Sequence, residues 1–244
     1  MPASGTVSIA QHVLAILVVL VGSAIQGSVG FGLNLFAAPL LVLIDPSLVP
    51  GPSIVASSLL NLLVIRRERA PHVWREMRWP MIGLVPGTAA GAAVLALVAR
   101  TNLTVFFAVL ILVAVGLSLS GLHPRRTPRT LAAAGVLSGF MGTAVGIGGP
   151  PIALMYQKAT GPELRAALSR FFGVAGLLSI LLLTAFGQFT WSDLGNGLLL
   201  LPGAAFGYLL SSRLLHHVDA GRVRIAVLSL SGASAIVALL LAIF

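Results

Sequence analysis

Cysteine is absent from the 244 residues, so no disulfide, thiolate nucleophile or cysteine-based metal site can form. Charge is scarce: 15 basic and 6 acidic residues make up 9% of the chain, against roughly 25% in an average soluble domain. Too few polar groups exist to cover the surface of a soluble globule, and disorder would need the opposite balance of low hydrophobicity and high charge. The first twenty residues, MPASGTVSIAQHVLAILVVL, contain no basic residue. A cleaved signal peptide is therefore not expected, and the first apolar run should stay in the mature chain. There is no HExxH, no P-loop and no Ser-His-Asp order. The five histidines (His12, His72, His123, His216, His217) lack metal-ligand spacing. No enzyme activity, metal or cofactor is expected.

What the chain has is apolar length. Apolar residues account for 57%, and the 15 basic residues, all arginine except Lys158, sit between long apolar runs. A net charge of +9 in a soluble protein would point to nucleic acid. Distributed this way, it marks the loops of an all-α polytopic membrane protein whose partner is the lipid bilayer, not nucleic acid. Six runs are long enough to cross a hydrocarbon core: 47–65, 80–99, 102–122, 166–186, 194–212 and 223–244. Trp74, Trp79 and Trp191 flank spans as interfacial anchors, and the basic loop RRERAPHVWREMR at 66–78 faces anionic headgroups.

Two further apolar regions, 7–44 and 131–157, are interrupted by clustered glycine: GSAIQGSVGFGLN in the first and GFMGTAVGIGGPP in the second. Glycine reaches backbone conformations that a helix cannot use, and Pro150-Pro151 removes two N–H donors. Each region reads as a helix broken at membrane depth, tolerated only where it is buried in protein or lines a polar cavity. The chain also repeats itself. A shift of 116 places Val29-Gly30-Phe31-Gly32 on Val145-Gly146-Ile147-Gly148, Pro46 on Pro162, Ser53 on Ser169 and Pro86-Gly87 on Pro202-Gly203, with 13 identities over residues 29–91. Residues 1–122 and 123–244 are read as two homologous transmembrane halves.

Two topologies compete. If all eight apolar regions cross the membrane, the basic residues divide 8 to 7 between its sides. If each Gly-broken region returns to the side it entered from, 14 lie inside and only Arg100 outside, which the positive-inside rule favours. Each half then has a hairpin or span plus three helices, and the halves are inverted repeats.

A helix break exposes backbone N–H groups and the positive end of a half-helix dipole, a ready anion site. The candidate substrate-binding residues are Gln26, Ser28, Gly30, Gly32 and Asn34 in the first break, and Thr143, Gly146, Gly148 and Gly149 in the second. Ser53, Ser57 and Ser169 are candidates along the path, and Arg170, a charge at depth, is a candidate for meeting an anion. Gly87-x-x-x-Gly91 and Gly203-x-x-x-Gly207 are assigned to close helix packing. Asp45 and Asp193 are assigned to helix capping.

The motifs GSVGFG at 27–32 and VGIGGPP at 145–151 open two related halves, each followed by a Pro turn (Asp45-Pro46, Gly161-Pro162) and a small-residue helix. Over nearly the whole chain this resembles the TauE/SafE family of sulfite and organosulfonate permeases. Its first half carries Val29-Gly30-Phe31-Gly32-Leu33-Asn34 in place of the family's usual glycine run. Arg165 in PELRAAL is similar to a basic position common at the head of this helix in the family. The resemblance implies a bacterial inner-membrane, multi-pass secondary transporter for small anions, sulfite or organosulfonates, working by alternating access around the two breaks. A passive anion channel and a non-transporting accessory subunit are the alternatives. The residues leave open whether a proton or sodium ion couples the movement, and what oligomer forms.

Overall fold

The computed structural model describes residues 8–68, 77–99, 102–156, 159, 161–214 and 220–243. Among them are ten α-helices: α1 (Ile9–Val29), α2 (Leu33–Ile44), α3 (Gly51–Arg67), α4 (Arg78–Leu97), α5 (Leu103–Leu119), α6 (Pro128–Val145), α7 (Gly149–Met155), α8 (Gly161–Ala185), α9 (Trp191–Leu214) and α10 (Ala220–Ile243). A single 3-10 turn, Pro46–Leu48, links α2 to α3. Six segments are long and apolar enough to span a membrane, and the 17-residue α5 is a shorter apolar helix. Large apolar side chains such as Leu177, Leu181 and Leu241 are 64–74% exposed along the outside of the bundle, a surface suited to acyl chains.

The glycine clusters do break their helices, but not midway. α1 opens on a capping box, Ser8 with Gln11, and ends at Gly30 with φ 108°. The 12-residue α2 follows after Gly32, at φ 123°. In the second half α6 opens on Thr127 and Thr130, with Pro128 in its first turn, and ends at Gly146 with φ 79°. The seven-residue α7 then begins with Pro150 and Pro151, which surrender N–H groups a helix start would leave unpaired. These three glycines hold left-handed backbone that a side chain would strain. The first arm of region 7–44 is thus a full 21-residue helix by length and the second arm is short.

Each broken region brings its two ends back together. Gln11 Nε2 donates to the Ile44 carbonyl at 3.0 Å, and Arg126 Nε donates to the Met155 carbonyl while its guanidinium lies 4.6 Å over the Tyr156 ring. The Tyr156 hydroxyl in turn reaches Met77 at the head of α4. Near the Gln11 end, His12 meets Asn196 of α9. There too a side chain on Gly51 would meet Asp193 and Phe189. One end of the bundle therefore gathers the N-terminus of α1, the C-terminus of α2 and the starts of α3 and α9. The other gathers the end of α3, the starts of α4, α6 and α8, and the end of α7.

The shift of 116 also relates element boundaries. Adding 116 to Val29 at the end of α1 gives Val145 at the end of α6, and adding it to Leu33 at the start of α2 gives Gly149 at the start of α7. Gly83, Gly87 and Gly91 of α4 press on backbone at Ala132, Val136 and Phe140 of α6. Gly203 and Gly207 of α9 press on Ile16 and Leu20 of α1. Both pairs run parallel, and the shift of 116 carries α4 onto α9 and α6 onto α1, with the contacts about one turn out of register. The glycines assigned to packing do pack, letting backbones approach as small-residue membrane interfaces do. The matched helices α3 and α8 run antiparallel: Ile54 and Ser58 lie by Gly176, Ile65 by Gly173, and the Glu68 carbonyl by Arg170. Asp45 accepts from the Ser47 N–H, and Asp193 from the Thr190 N–H and hydroxyl. Both carboxylates act as caps. His72, Trp74, His216, His217 and most of the basic loop 66–78 lie outside the described residues.

Candidate functional site

The two breaks meet in the middle of the bundle. Asn34, in the first turn of α2, donates through Nδ2 to the Gly146 carbonyl at 2.9 Å. A Cβ on Gly146 would lie 3.1 Å from Ser53 Oγ, and a Cβ on Gly149 would lie 3.3 Å from the Phe31 ring. Around this junction is a cavity of about 60 Å³ between the breaks, α3, α6 and α8. That is room for a few waters or one small oxyanion.

Its walls are mostly apolar, set with amides and hydroxyls, and carry no ionisable side chain. Gln26, Asn34 and Asn61 bring amides; Ser57, Ser138 and Ser179 bring hydroxyls; Phe31, Ile54, Ile147 and Phe172 bring apolar surface. Local backbone explains the amide positions. Gly32 offers no side-chain cap to α2, so Gln26 folds back from α1 and accepts the Leu33 N–H through Oε1 at 3.0 Å. Its Nε2 donates to Asn61 Oδ1 of α3 at 2.9 Å. The amides of Asn34 and Leu35 also belong to the first turn of α2 and have no carbonyl within the helix to meet. The positive end of this half-helix therefore points into the region that Asn34 and Leu35 line.

Of the residues singled out in the sequence, Gln26, Gly32, Asn34, Ser57, Gly146, Gly148 and Gly149 line this cavity. Ser28, Gly30, Ser53, Thr143, Ser169 and Arg170 do not. Ser28 bonds back to the Ala24 carbonyl, Ser53 to the Pro50 carbonyl, and Thr143 pairs with Ser179 at 2.8 Å. Ser169 is buried beside Arg170, more than two turns into α8. Gly30 turns the chain against Arg165, whose Cα lies 3.2 Å from where its side chain would begin. Arg170 lies in an apolar groove between α3 and α8, where Nη1 donates to the Ala166 carbonyl and Nη2 to the Glu68 carbonyl. Asn61, Ser138 and Ser179 went unnoticed in the sequence. A usable signal existed for Asn61: an amide inside an apolar span is costly and normally has a polar purpose.

Beside the junction lies a charged cluster. Glu68 Oε1 accepts from Arg165 Nε at 2.7 Å and from Arg67 Nε at 3.2 Å, with all three side chains 12–17% exposed. Arg67 also donates to the Gly27 carbonyl and to Ser211 Oγ, and stacks 5.2 Å from the Tyr208 ring centre. Arg165 Nη1 reaches the Ser28 carbonyl at 3.4 Å. The cluster fastens the ends of α1, α3 and α9 to the start of α8, across the two halves.

A bundle of apolar helices whose two broken helices close on one cavity set with amides and hydroxyls has the organisation of a membrane transport protein. The chain belongs to the sulfite exporter TauE/SafE family, whose family model matches residues 14–238. Neither the curated proteins nor the solved structures compared with the chain match it.

Proposed function

We propose that this protein is a secondary transporter for small anions of the sulfite and organosulfonate class, carried one at a time through the cavity between the two breaks. The observation that carries the reading is the Asn34–Gly146 hydrogen bond. It makes one site out of two breaks that lie on different halves of the chain, with the N-terminus of α2 aimed into it. An anion there would be met by N–H groups of amides and backbone, not by a fixed cation. Such donors hold negative charge while leaving the binding shallow enough for release. The cavity's size suits sulfite better than a longer sulfonate.

The antiparallel course of α3 and α8 supports inverted halves. The arginines at 67, 78, 126, 165 and 213 all belong to the end of the bundle that the positive-inside rule places in the cytoplasm of a bacterial inner membrane. The Arg67–Glu68–Arg165 cluster then closes the site on that side, and opening requires its separation as one set of helices moves against the other. A channel would have no need of a latch that crosses the halves.

Purified protein in liposomes tests this. Labelled sulfite should enter saturably and faster when unlabelled sulfite is present on the opposite side. Flux that rises linearly with concentration and ignores the opposite side would mean a channel, and no flux of any small anion would mean an accessory role.

A further inference from the structure

The Arg67–Glu68–Arg165 cluster is paired in a way that a different anion would satisfy better. Glu68 meets both arginines through one oxygen: Oε1 accepts from Arg165 Nε at 2.7 Å and from Arg67 Nε at 3.2 Å. Its Oε2 accepts no hydrogen bond from the described residues. Arg165 donates through Nε and, at 3.4 Å, through Nη1 to the Ser28 carbonyl, and makes no hydrogen bond through Nη2 among the described residues. The edge formed by Nε and Nη2 is the two-pronged side of a guanidinium, suited to two oxygens on one atom. On Arg165 that edge is half used.

The arginines do not depend on Glu68 for their positions. Arg67 is also held by the Gly27 carbonyl, Ser211 Oγ and the Tyr208 ring, and Arg165 is packed against Gly30. Glu68 is the exchangeable member. It caps the C-terminus of α3 in extended backbone, at φ −93° and ψ 93°. Its N–H donates to the Val64 carbonyl at 2.8 Å, and its own carbonyl accepts from Arg170 Nη2 at 3.2 Å. The backbone can stay pinned while the carboxylate turns away, which gives the buried Arg170 a use. Two cations against one anion leave a positive charge over, and Glu163 in the first turn of α8 forms no ion pair among the described residues. All three side chains of the cluster keep some exposure, so an anion can reach them. Gly30, beside Arg165, directly precedes the cavity residues Phe31 and Gly32.

Resting on the anion-transport reading of the cavity, we propose that Arg165 and Arg67 form a second, entry site for sulfur oxyanions on the arginine-rich side, where the incoming anion displaces the Glu68 carboxylate. Sulfite and sulfonates share three oxygens on one sulfur, so either fills the Arg165 edge with two of them. Glu68 is then a tethered stand-in for the substrate. Its competition keeps this site weaker than the cavity, and its displacement by the anion is what releases the latch.

The test measures the KM for labelled sulfite, and inhibition by methanesulfonate, separately from each side of liposomes holding protein in one orientation. Arg165→Gln should raise the KM about tenfold or more from the arginine-rich side and leave it unchanged from the other. Glu68→Gln, which removes the competitor, should lower it on the arginine-rich side, and the double variant should resemble Arg165→Gln. A cluster that serves only as a latch gives the opposite pattern. Loss of Arg165 would then free the helices, so the KM on that side would fall or stay, and the double variant would resemble Glu68→Gln. That pattern would overturn the entry site while leaving anion transport standing. Should Arg165→Gln fail to fold, Arg165→Lys decides: it keeps the charge without the two-pronged edge. It should weaken both sulfite and methanesulfonate on the arginine-rich side, and wild-type values there would overturn the proposal. Absence of saturable sulfite uptake by the wild type from either side would remove the transport reading and this proposal with it.

Discussion

Gln26→Leu is a sharp perturbation of the site because it keeps the side chain's bulk and deletes its polarity. Two pairings go: Oε1 with the Leu33 N–H at 3.0 Å, and Nε2 with Asn61 Oδ1 at 2.9 Å. Each leaves one buried polar group without a partner, and each such orphan costs about 1–3 kcal/mol. Part of that cost is recovered as Asn61 turns and α2 unwinds at its start, so the loss in anion binding should be on the order of 2 kcal/mol, about thirtyfold. Gln26→Glu separates cap from charge: it still accepts from Leu33, but sets a carboxylate against Asn61 Oδ1 and the incoming anion, and should lose more. The assay is concentration-dependent uptake of labelled sulfite in liposomes, alongside thermal unfolding in detergent. Gln26→Leu with wild-type uptake, or Gln26→Glu better than Gln26→Leu, would refute the reasoning. A stable Gln26→Leu protein with a raised KM would support it.

Glu68→Gln removes the anion shared by Arg67 and Arg165 but can keep one hydrogen bond. With the side chains 12–17% exposed, weakening of the closed state should be about 1–2 kcal/mol. It should show as faster maleimide labelling of a Ser57→Cys reporter from the arginine-rich side. Gly87→Val drives a side chain into the Val136 backbone and should lower stability by ~2 kcal/mol or more. Its thermal midpoint in detergent should drop by several degrees, with the sulfite KM of surviving protein unchanged. Because cysteine is absent, Ser192→Cys and Ser120→Cys, both exposed at opposite ends of the bundle, report topology cleanly. An impermeant maleimide on intact cells should label the first and spare the second, and the reverse pattern would overturn the assignment of sides.

The helices were legible because apolar runs of membrane length leave few alternatives, and the breaks because three of their glycines sit at left-handed φ that other residues avoid. The repeated small residues at 87, 91, 203 and 207 foretold helix contact, since only backbone-to-backbone approach makes a side chain intolerable there. Arg170, a charge inside a helix, suggested the site; its guanidinium is held by two backbone carbonyls and does not line this cavity. Asn61 was overlooked because its matched position in the second half is Leu177, so the repeat gave no hint. Its partner Gln26 lies 35 positions away, a contact that no local pattern encodes. Which serines face the cavity, Ser57 doing so while it bonds back to the Ile54 carbonyl, likewise depends on helix rotation, set by packing.

The central claim is that anions bind between the two breaks and not at the buried arginine. Equilibrium binding of labelled sulfite to purified wild type, Asn61→Leu and Arg170→Ala puts these against each other. Binding should be lost or weakened at least tenfold in Asn61→Leu and kept in Arg170→Ala; binding kept in the first and lost in the second would contradict the account.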